Sequence, residues 1–181
     1  MKRITKLSIL IFGLLLSFNI HAQAQDLKLG GGLVLGTGVF EFDDLDNDFG
    51  LRAEGIYSVN EKVRTSADIT FFFPKSEGNI DVSLLGVNLN AHYLFYNEDA
   101  ITAYGLGGLN IAIINVDTPS QTVPGFGTFG GSDSETEVAL NLGGGVEYML
   151  DFAELFGEIK FGGLAGDADQ FVLAAGLRFG I

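Results

Sequence analysis

The sequence predicts an all-β chain: an eight-stranded antiparallel up-and-down barrel that spans a membrane, preceded by a cleaved signal peptide. Three observations carry this. Eight segments alternate between apolar and small or polar residues with period two, the joins between them alternate between short and long, and the N-terminus reads as a leader.

The leader comes first. Met1-Lys2-Arg3-Ile4-Thr5-Lys6 is basic, Leu7 to Phe18 is apolar, and Ala22-Gln23-Ala24 is a small-x-small cleavage pattern. The apolar run has about 12 residues, short of the ~20 that a spanning helix needs. Residues 1–24 are therefore expected to be removed, leaving a barrel domain over 25–181. The chain has no cysteine, so neither a lipid-bearing Cys nor a disulfide framework is available. Hydrophobic residues make up 47% of the chain, yet no later run is long and apolar enough for a spanning helix. Three of the ten basic residues lie in the leader, so the remainder carries seven bases against 23 acids, a formal charge of −16. That balance excludes nucleic acid as a partner, because phosphate binding needs a basic surface.

The segments follow in order. Leu27 to Val39 places Leu27, Leu29, Leu33, Leu35 and Val39 opposite Lys28, Gly30, Gly32, Gly36 and Gly38. Phe49 to Val59 places Phe49, Leu51, Ala53, Tyr57 and Val59 opposite Arg52, Glu54 and Ser58. Val63 to Phe73 places Ala67, Ile69, Phe71 and Phe73 opposite Arg64, Ser66, Asp68 and Thr70. Leu85 to Phe95 places Val87, Leu89, Ala91 and Tyr93 opposite Gly86, Asn88, Asn90 and His92. In Ile101 to Val116, Tyr104 and Leu106 fit one parity while Leu109, Ile111 and Ile113 fit the other. A bulge at Gly107-Gly108 is expected to reconcile them. Val138 to Tyr148 places Leu140, Leu142 and Val146 opposite Asn141, Gly143, Gly145 and Glu147. Leu155 to Phe161 places Leu155, Ile159 and Phe161 opposite Glu154, Glu158 and Lys160. Phe171 to Ile181 places Phe171, Leu173, Ala175, Leu177, Phe179 and Ile181 opposite Val172, Ala174, Gly176, Arg178 and Gly180. Successive strand residues face opposite sides, so each segment has one bulky apolar face.

The joins at Asn60-Glu61, Asn97-Glu98-Asp99 and Leu150-Asp151-Phe152 are tight. Those at 41–48, 74–81, 117–136 and 163–170 are longer and polar or glycine-rich, and are expected to be loops. Short turns on one side and long loops on the other are the pattern of outer-membrane barrels, and an even strand count puts both termini on the short-turn, periplasmic side. Tyr57, Tyr93, Tyr96, Tyr104 and Tyr148 all fall near short turns, whereas Phe40, Phe49, Phe71, Phe73, Phe161 and Phe171 fall near the long joins; Phe95, Phe152 and Phe179 break that sorting. Two aromatic girdles at the two membrane interfaces would sort the residues this way.

The faces opposite the apolar ones carry Lys28, Arg52, Glu54, Arg64, Asp68, His92, Glu147, Glu154, Glu158, Lys160 and Arg178. Eight strands enclose a space filled by side chains. These residues are expected to form a paired polar network there, because an unpaired buried charge costs several kcal/mol.

The leader, the eight alternating segments and the terminal Gly176-Leu177-Arg178-Phe179-Gly180-Ile181 resemble small outer-membrane β-barrel proteins of the OmpA/OmpX type. Among these, the chain looks most like the "outer membrane protein beta-barrel domain" or "porin family" proteins common in Bacteroidetes. The resemblance implies residence in the cell outer membrane, contact with its lipid and lipopolysaccharide, and insertion by the barrel assembly machinery. Members commonly end in an aromatic residue; this chain ends in Ile181, with Phe179 two positions earlier on the same face.

No catalytic or cofactor-binding residue is expected. His92 is the only histidine after the leader, and the lipid A deacylase pattern of His followed two residues later by Ser is broken by His92-Tyr93-Leu94. Asp44-x-Asp46-x-Asp48 is a weak calcium candidate: the glycine comes one residue late, and Gly55 stands where a bidentate Glu is needed. The expected function is a non-enzymatic structural or surface-interaction role carried by the long loops. The alternatives are a soluble periplasmic barrel that encloses an apolar ligand, a lipid A-modifying enzyme and a narrow ion pore.

Overall fold

The computed structural model describes residues 27–37, 47–78, 80–123, 127–164 and 170–181. The leader lies outside these residues, as do Asp44 and Asp46. The strands are β1 (Leu27–Thr37), β2 (Asn47–Ser58), β3 (Val63–Glu77), β4 (Ile80–Glu98), β5 (Ile101–Val123), β6 (Gly127–Met149), β7 (Glu154–Leu164) and β8 (Gln170–Gly180). Each pairs antiparallel with the next, and β1 pairs with β8 to close the barrel. Closure leaves no unpaired edge within the wall, the condition for a sheet to stand in lipid.

The apolar face points outward, as the alternation predicts. One residue on each strand illustrates it: Leu33, Leu51, Ile69, Leu89, Leu109, Leu142, Ile159 and Leu173 are all at least 40% exposed. Their chain neighbours Val34, Arg52, Asp68, Asn88, Asn110, Asn141, Glu158 and Val172 are buried. A barrel enclosing an apolar ligand would show the reverse phase.

The short turns have local causes. Asn60 Oδ1 accepts hydrogen bonds from the backbone N–H groups of Lys62 and Val63, both at 2.9 Å, which closes β2 onto β3. Asp99 takes the left-handed conformation, φ 52°, at the β4–β5 turn, a backbone state that Asp tolerates better than most residues. Leu150 N–H donates to Ala153 C=O at 2.8 Å between β6 and β7.

Three expectations are corrected. First, β5 has no bulge at Gly107-Gly108. Its pairing with β4 and β6 runs unbroken there, and the register shift lies in β4 between Leu94 and Tyr96. No flip is needed because Tyr104 and Leu106 face inward, 1% and 3% exposed, in phase with buried Asn110 and Ala112. Second, Tyr104 therefore does not belong to the outer tyrosine belt, although Tyr93, Tyr96 and Tyr148 are exposed near the short turns. Third, the segments 74–81 and 117–136 are largely strand. β3 and β4 extend to Glu77 and from Ile80, and β5 and β6 pair out to Val123↔Gly127. β5 and β6 have 23 residues each, against 11 in β1, β7 and β8. A tilted spanning strand needs ~9–11, so about a dozen residues of each project past the wall.

The interior is layered. The half nearer the long hairpins is apolar, built from Val34, Phe72, Val82, Leu84, Ala112, Val172 and Ala174, with Ile114 and Val116 packed against it. The half nearer the short turns is polar and holds the charged residues. Glycine permits close approach at the β1–β8 seam, where a Cβ on Gly176 would lie 2.1 Å from the Gly31 carbonyl oxygen.

Candidate functional site: charged interior and projecting hairpins

Two features have functional potential: the buried charge network and the sheet above it. In the network, Arg178 of β8 is fully buried and sits at the centre. Its Nε donates to Glu54 Oε1 at 2.6 Å, and one terminal nitrogen donates to Glu54 Oε2 at 3.2 Å. The other terminal nitrogen donates to Glu147 and, at 3.1 Å, to the Tyr104 hydroxyl oxygen. Glu158 lies 3.5 Å away, and the Phe156 ring stacks beneath the guanidinium at 4.1 Å. The room for this side chain comes from Gly30, where a Cβ would lie 3.0 Å from Arg178 Cγ and 2.8 Å from Glu54 Oε1.

Arg52 of β2 links the next layer. It donates to Glu158 at 2.5 Å and Glu54 at 2.9 Å, and it lies 3.2 Å from Asp68. Asp68 also accepts from Thr70, Asn88 and Asn90. Asn88 Oδ1 then accepts from both Asn110 and Asn141 at 2.8 Å, carrying the hydrogen bonds across to β5 and β6. Arg64 forms a bidentate pair with Glu147, both bonds 2.9 Å. Lys28 donates to both oxygens of Glu154 at 2.6 and 2.7 Å near the short-turn mouth. A cavity of about 500 Å³ opens there among Lys28, Arg64, Glu154, Tyr57, Asn97 and Thr102.

Lys160 differs from the arginines. It is buried, its Nζ makes no hydrogen bond among the described residues, and its nearest carboxylate, Asp68, is 3.9 Å away. Counting Lys28, Arg52, Arg64, Lys160 and Arg178 against Glu54, Asp68, Glu147, Glu154 and Glu158, the ten side chains sum to zero formal charge. Bidentate and shared pairings of this kind offset the desolvation of buried ions, and every carboxylate here has at least one cationic neighbour.

The structure thus brings together Arg52, Glu54, Arg64, Asp68, His92, Glu147, Glu158, Lys160 and Arg178. Sequence reasoning missed the aromatic members Tyr104 and Phe156. Tyr104 donates its hydroxyl to Glu158 at 2.8 Å and stacks on His92 with ring centres 4.6 Å apart. Arg64 and Arg178 lie over the same ring. Their inward parity was the available signal: Phe156 shares a face with Glu154 and Glu158, and Tyr104 shares one with Asn110. His92 is fully buried and its Nε2 pairs with Ser66 Oγ at 3.0 Å. Both side chains are buried, His92 at 0% and Ser66 at 5% exposed.

Of the weak calcium candidate, only Asp48 lies among the described residues; Asp44 and Asp46 lie outside them. Asp48 is the second residue of β2, is 1% exposed, and its carboxylate lies 2.6 Å from Lys75 Nζ. Among the described residues no group of three or more His, Asp or Glu side chains is placed to hold a metal ion.

Above the network, the β3–β4 and β5–β6 hairpins continue the wall as an open sheet. β7 pairs with β6 only from Leu140 onward, so Gly127 to Ala139 of β6 has β5 on one side and no strand on the other among the described residues. The residues at this end are acidic. Among the described residues there, Asp48, Glu77, Asp81, Asp117, Asp133, Glu135 and Glu137 stand against a single base, Lys75.

Comparison with known proteins agrees with this architecture. No curated protein matches the sequence. Among solved structures, Neisserial surface protein A superposes with a TM-score of 0.67 at 17% identity, covering 86% of this chain and 97% of that one. Ail, the attachment invasion locus protein of Yersinia pestis, gives 0.58 at 18% identity, covering 86% and 99%. The outer membrane protein OprG from Pseudomonas aeruginosa gives 0.59 at 14% identity, covering 86% and 95%. At these identities the likeness is one of fold. The family model for the outer membrane protein beta-barrel domain matches residues 10–179. The chain belongs to the outer membrane protein beta-barrel domain family and is a transmembrane barrel of the cell outer membrane.

Proposed function

We propose that this barrel is a non-enzymatic surface-interaction protein whose working part is the sheet formed by the projecting hairpins. The observation that carries the reading is the length of β5 and β6, which continue well past the wall while β7 and β8 stop at it. Strand beyond what the bilayer needs has no anchoring role, and loops on a rigid scaffold are where binding residues concentrate. A pore reading is disfavoured by the filled interior, where polar and apolar layers follow one another along the axis. An enzyme reading is disfavoured by the burial of His92. In this account the wall contacts membrane lipid and lipopolysaccharide, and the barrel assembly machinery inserts it. The short turns face the periplasm.

The reading is tested on intact cells and in bilayers. Single cysteines at Ser120 and Ser132 should react with a membrane-impermeant maleimide in whole cells. The purified protein should show no unit conductance in planar bilayers, and its expression should leave lipid A masses unchanged. Hairpin cysteines that react only after lysis, steady single-channel currents, or a new lipid A species would each overturn it.

A further inference from the structure

The cavity at the short-turn mouth, about 500 Å³, lies within the ~300–1,000 Å³ usual for small-ligand sites. Arg64 forms its floor. This side chain is 3% exposed, and its guanidinium lies 5.1 Å over the ring of Tyr104, which is 1% exposed, so solvent stops at that layer. With the orientation given above, the mouth opens to the periplasm, on the other side of the membrane from the projecting hairpins.

The lining carries hydrogen-bonding groups that are oriented but unused. Asn60 Oδ1 is taken by the backbone N–H groups of Lys62 and Val63, and Asn97 Oδ1 accepts from the Thr102 hydroxyl at 2.8 Å. Each amide is therefore fixed through its oxygen, and among the described residues neither Nδ2 has a partner. Each of these nitrogens carries two donors. The same cavity is lined by Lys28 and Glu154, bonded to each other at 2.6 and 2.7 Å. Their side chains are 20% and 15% exposed, whereas the Arg52, Arg64 and Arg178 pairs beneath them are 3% exposed or less.

These groups select by charge. In the lining, Lys28 and Arg64 stand against Glu61 and Glu154, and both cations are already held by carboxylates. A charged ligand would have to break one of those pairs. A hydroxyl does not, because it donates to a spare carboxylate lone pair and accepts from an amide N–H at the same time. Leu94, Met149 and Tyr57 add apolar surface to the cavity. Hydroxyls around an edge and C–H groups on two faces are the makeup of a sugar ring.

We propose that the short-turn mouth binds a neutral carbohydrate of one or two rings, with the Asn60 and Asn97 amides donating to its hydroxyls and Glu154 accepting from them. The site is separate from the hairpin sheet, so it adds a second, periplasmic activity to the surface-interaction reading.

The test uses the full barrel refolded in lauryldimethylamine oxide micelles, which contain no sugar headgroup. Cellobiose and chitobiose are the carbohydrate probes. Glycylglycine, a zwitterion, and inorganic phosphate are the charged controls. NMR follows the side-chain amides of Asn60 and Asn97 at tens of millimolar probe. At least one disaccharide should shift both amide signals saturably, and neither control should. Asn97→Asp keeps an acceptor for the Thr102 hydroxyl but removes the N–H donors. It should weaken sugar binding about tenfold while keeping folded-barrel gel mobility, whereas Asp151→Asn, on the β6–β7 turn outside the cavity lining, should leave binding unchanged. No saturable shift with either disaccharide would overturn the proposal. Glycylglycine or phosphate binding as tightly as the sugars would overturn it too, since the mouth would then be a charge site. Full sugar binding by a folded Asn97→Asp barrel would have the same consequence. Cysteine labelling and conductance judge the surface-interaction reading separately and do not depend on these probes.

Discussion

Replacing Arg178 by methionine probes the interior most sharply. Methionine keeps much of the stem over Phe156 and removes the charge. Three carboxylates lose a partner. Glu54 keeps Arg52 at 2.9 Å, Glu147 keeps its bidentate pair with Arg64, and Glu158 keeps Arg52 at 2.5 Å with the Tyr104 hydroxyl at 2.8 Å. None of the three is orphaned, but the ten-residue network acquires one uncompensated negative charge in a fully buried layer. Breaking one side of a buried ion pair costs about 3–5 kcal/mol. The remaining partners place Arg178→Met near the lower bound, about 3 kcal/mol, or roughly a hundredfold in the folded-to-unfolded ratio. The chain lacks tryptophan, so unfolding in urea is best followed by circular dichroism together with the gel shift between folded and unfolded barrel. The double variant Arg178→Met/Glu54→Gln restores neutrality and should recover about half of the loss. A single-variant loss below about 1 kcal/mol, the range of exposed pairs, would refute a cooperative buried network, as would a double variant no more stable than the single one.

Two further outcomes follow from the same geometry. Lys160→Met also leaves the network one cation short, but it should cost less than Arg178→Met, about 1 kcal/mol or below, because among the described residues Lys160 Nζ makes no hydrogen bond and Asp68 keeps Arg52, Asn88 and Asn90; a loss as large as that of Arg178→Met, in the same urea titration, would contradict this. Gly176→Ala should destabilise by about 1–3 kcal/mol, since its methyl would meet the Gly31 carbonyl across the β1–β8 seam, whereas Gly157→Ala, with open space at the Cβ position, should be tolerated; equal midpoints for the two would show that the seam yields freely.

Legibility in the sequence varied with how strongly the two faces of a strand differ. β1, β2 and β8 read cleanly because bulky apolar residues on one face meet glycine or charge on the other. The same contrast named the charged interior residues, since long ionisable side chains at inward parity have few other places to go. It failed for β5, where Tyr104 and Leu106 are apolar yet inward, so a rule equating apolar with lipid-facing invented a bulge. It failed again beyond the bilayer. Residues such as Thr118, Ser132 and Ser134 have water on both sides, no pressure to alternate, and a composition that reads as loop. The apolar interior layer of Val34, Phe72, Leu84 and Val172 was hidden for a related reason: its members lie beside outward apolar residues, and the run looks uniformly hydrophobic.

The central claim is the phase of the wall: apolar side chains outward into lipid, charges sealed within. The natural absence of cysteine allows a direct reading. Eight single-cysteine variants, at Leu33, Leu51, Ile69, Leu89, Leu109, Leu142, Ile159 and Leu173, place one spin label on each strand of the barrel in lipid vesicles. Collision with dissolved oxygen, which concentrates in hydrocarbon, is compared with collision with a water-soluble nickel chelate. All eight labels should favour oxygen strongly. Labels that favour neither reagent, as in a packed interior, or that favour the nickel chelate, as on a water-facing surface, would contradict a lipid-facing wall.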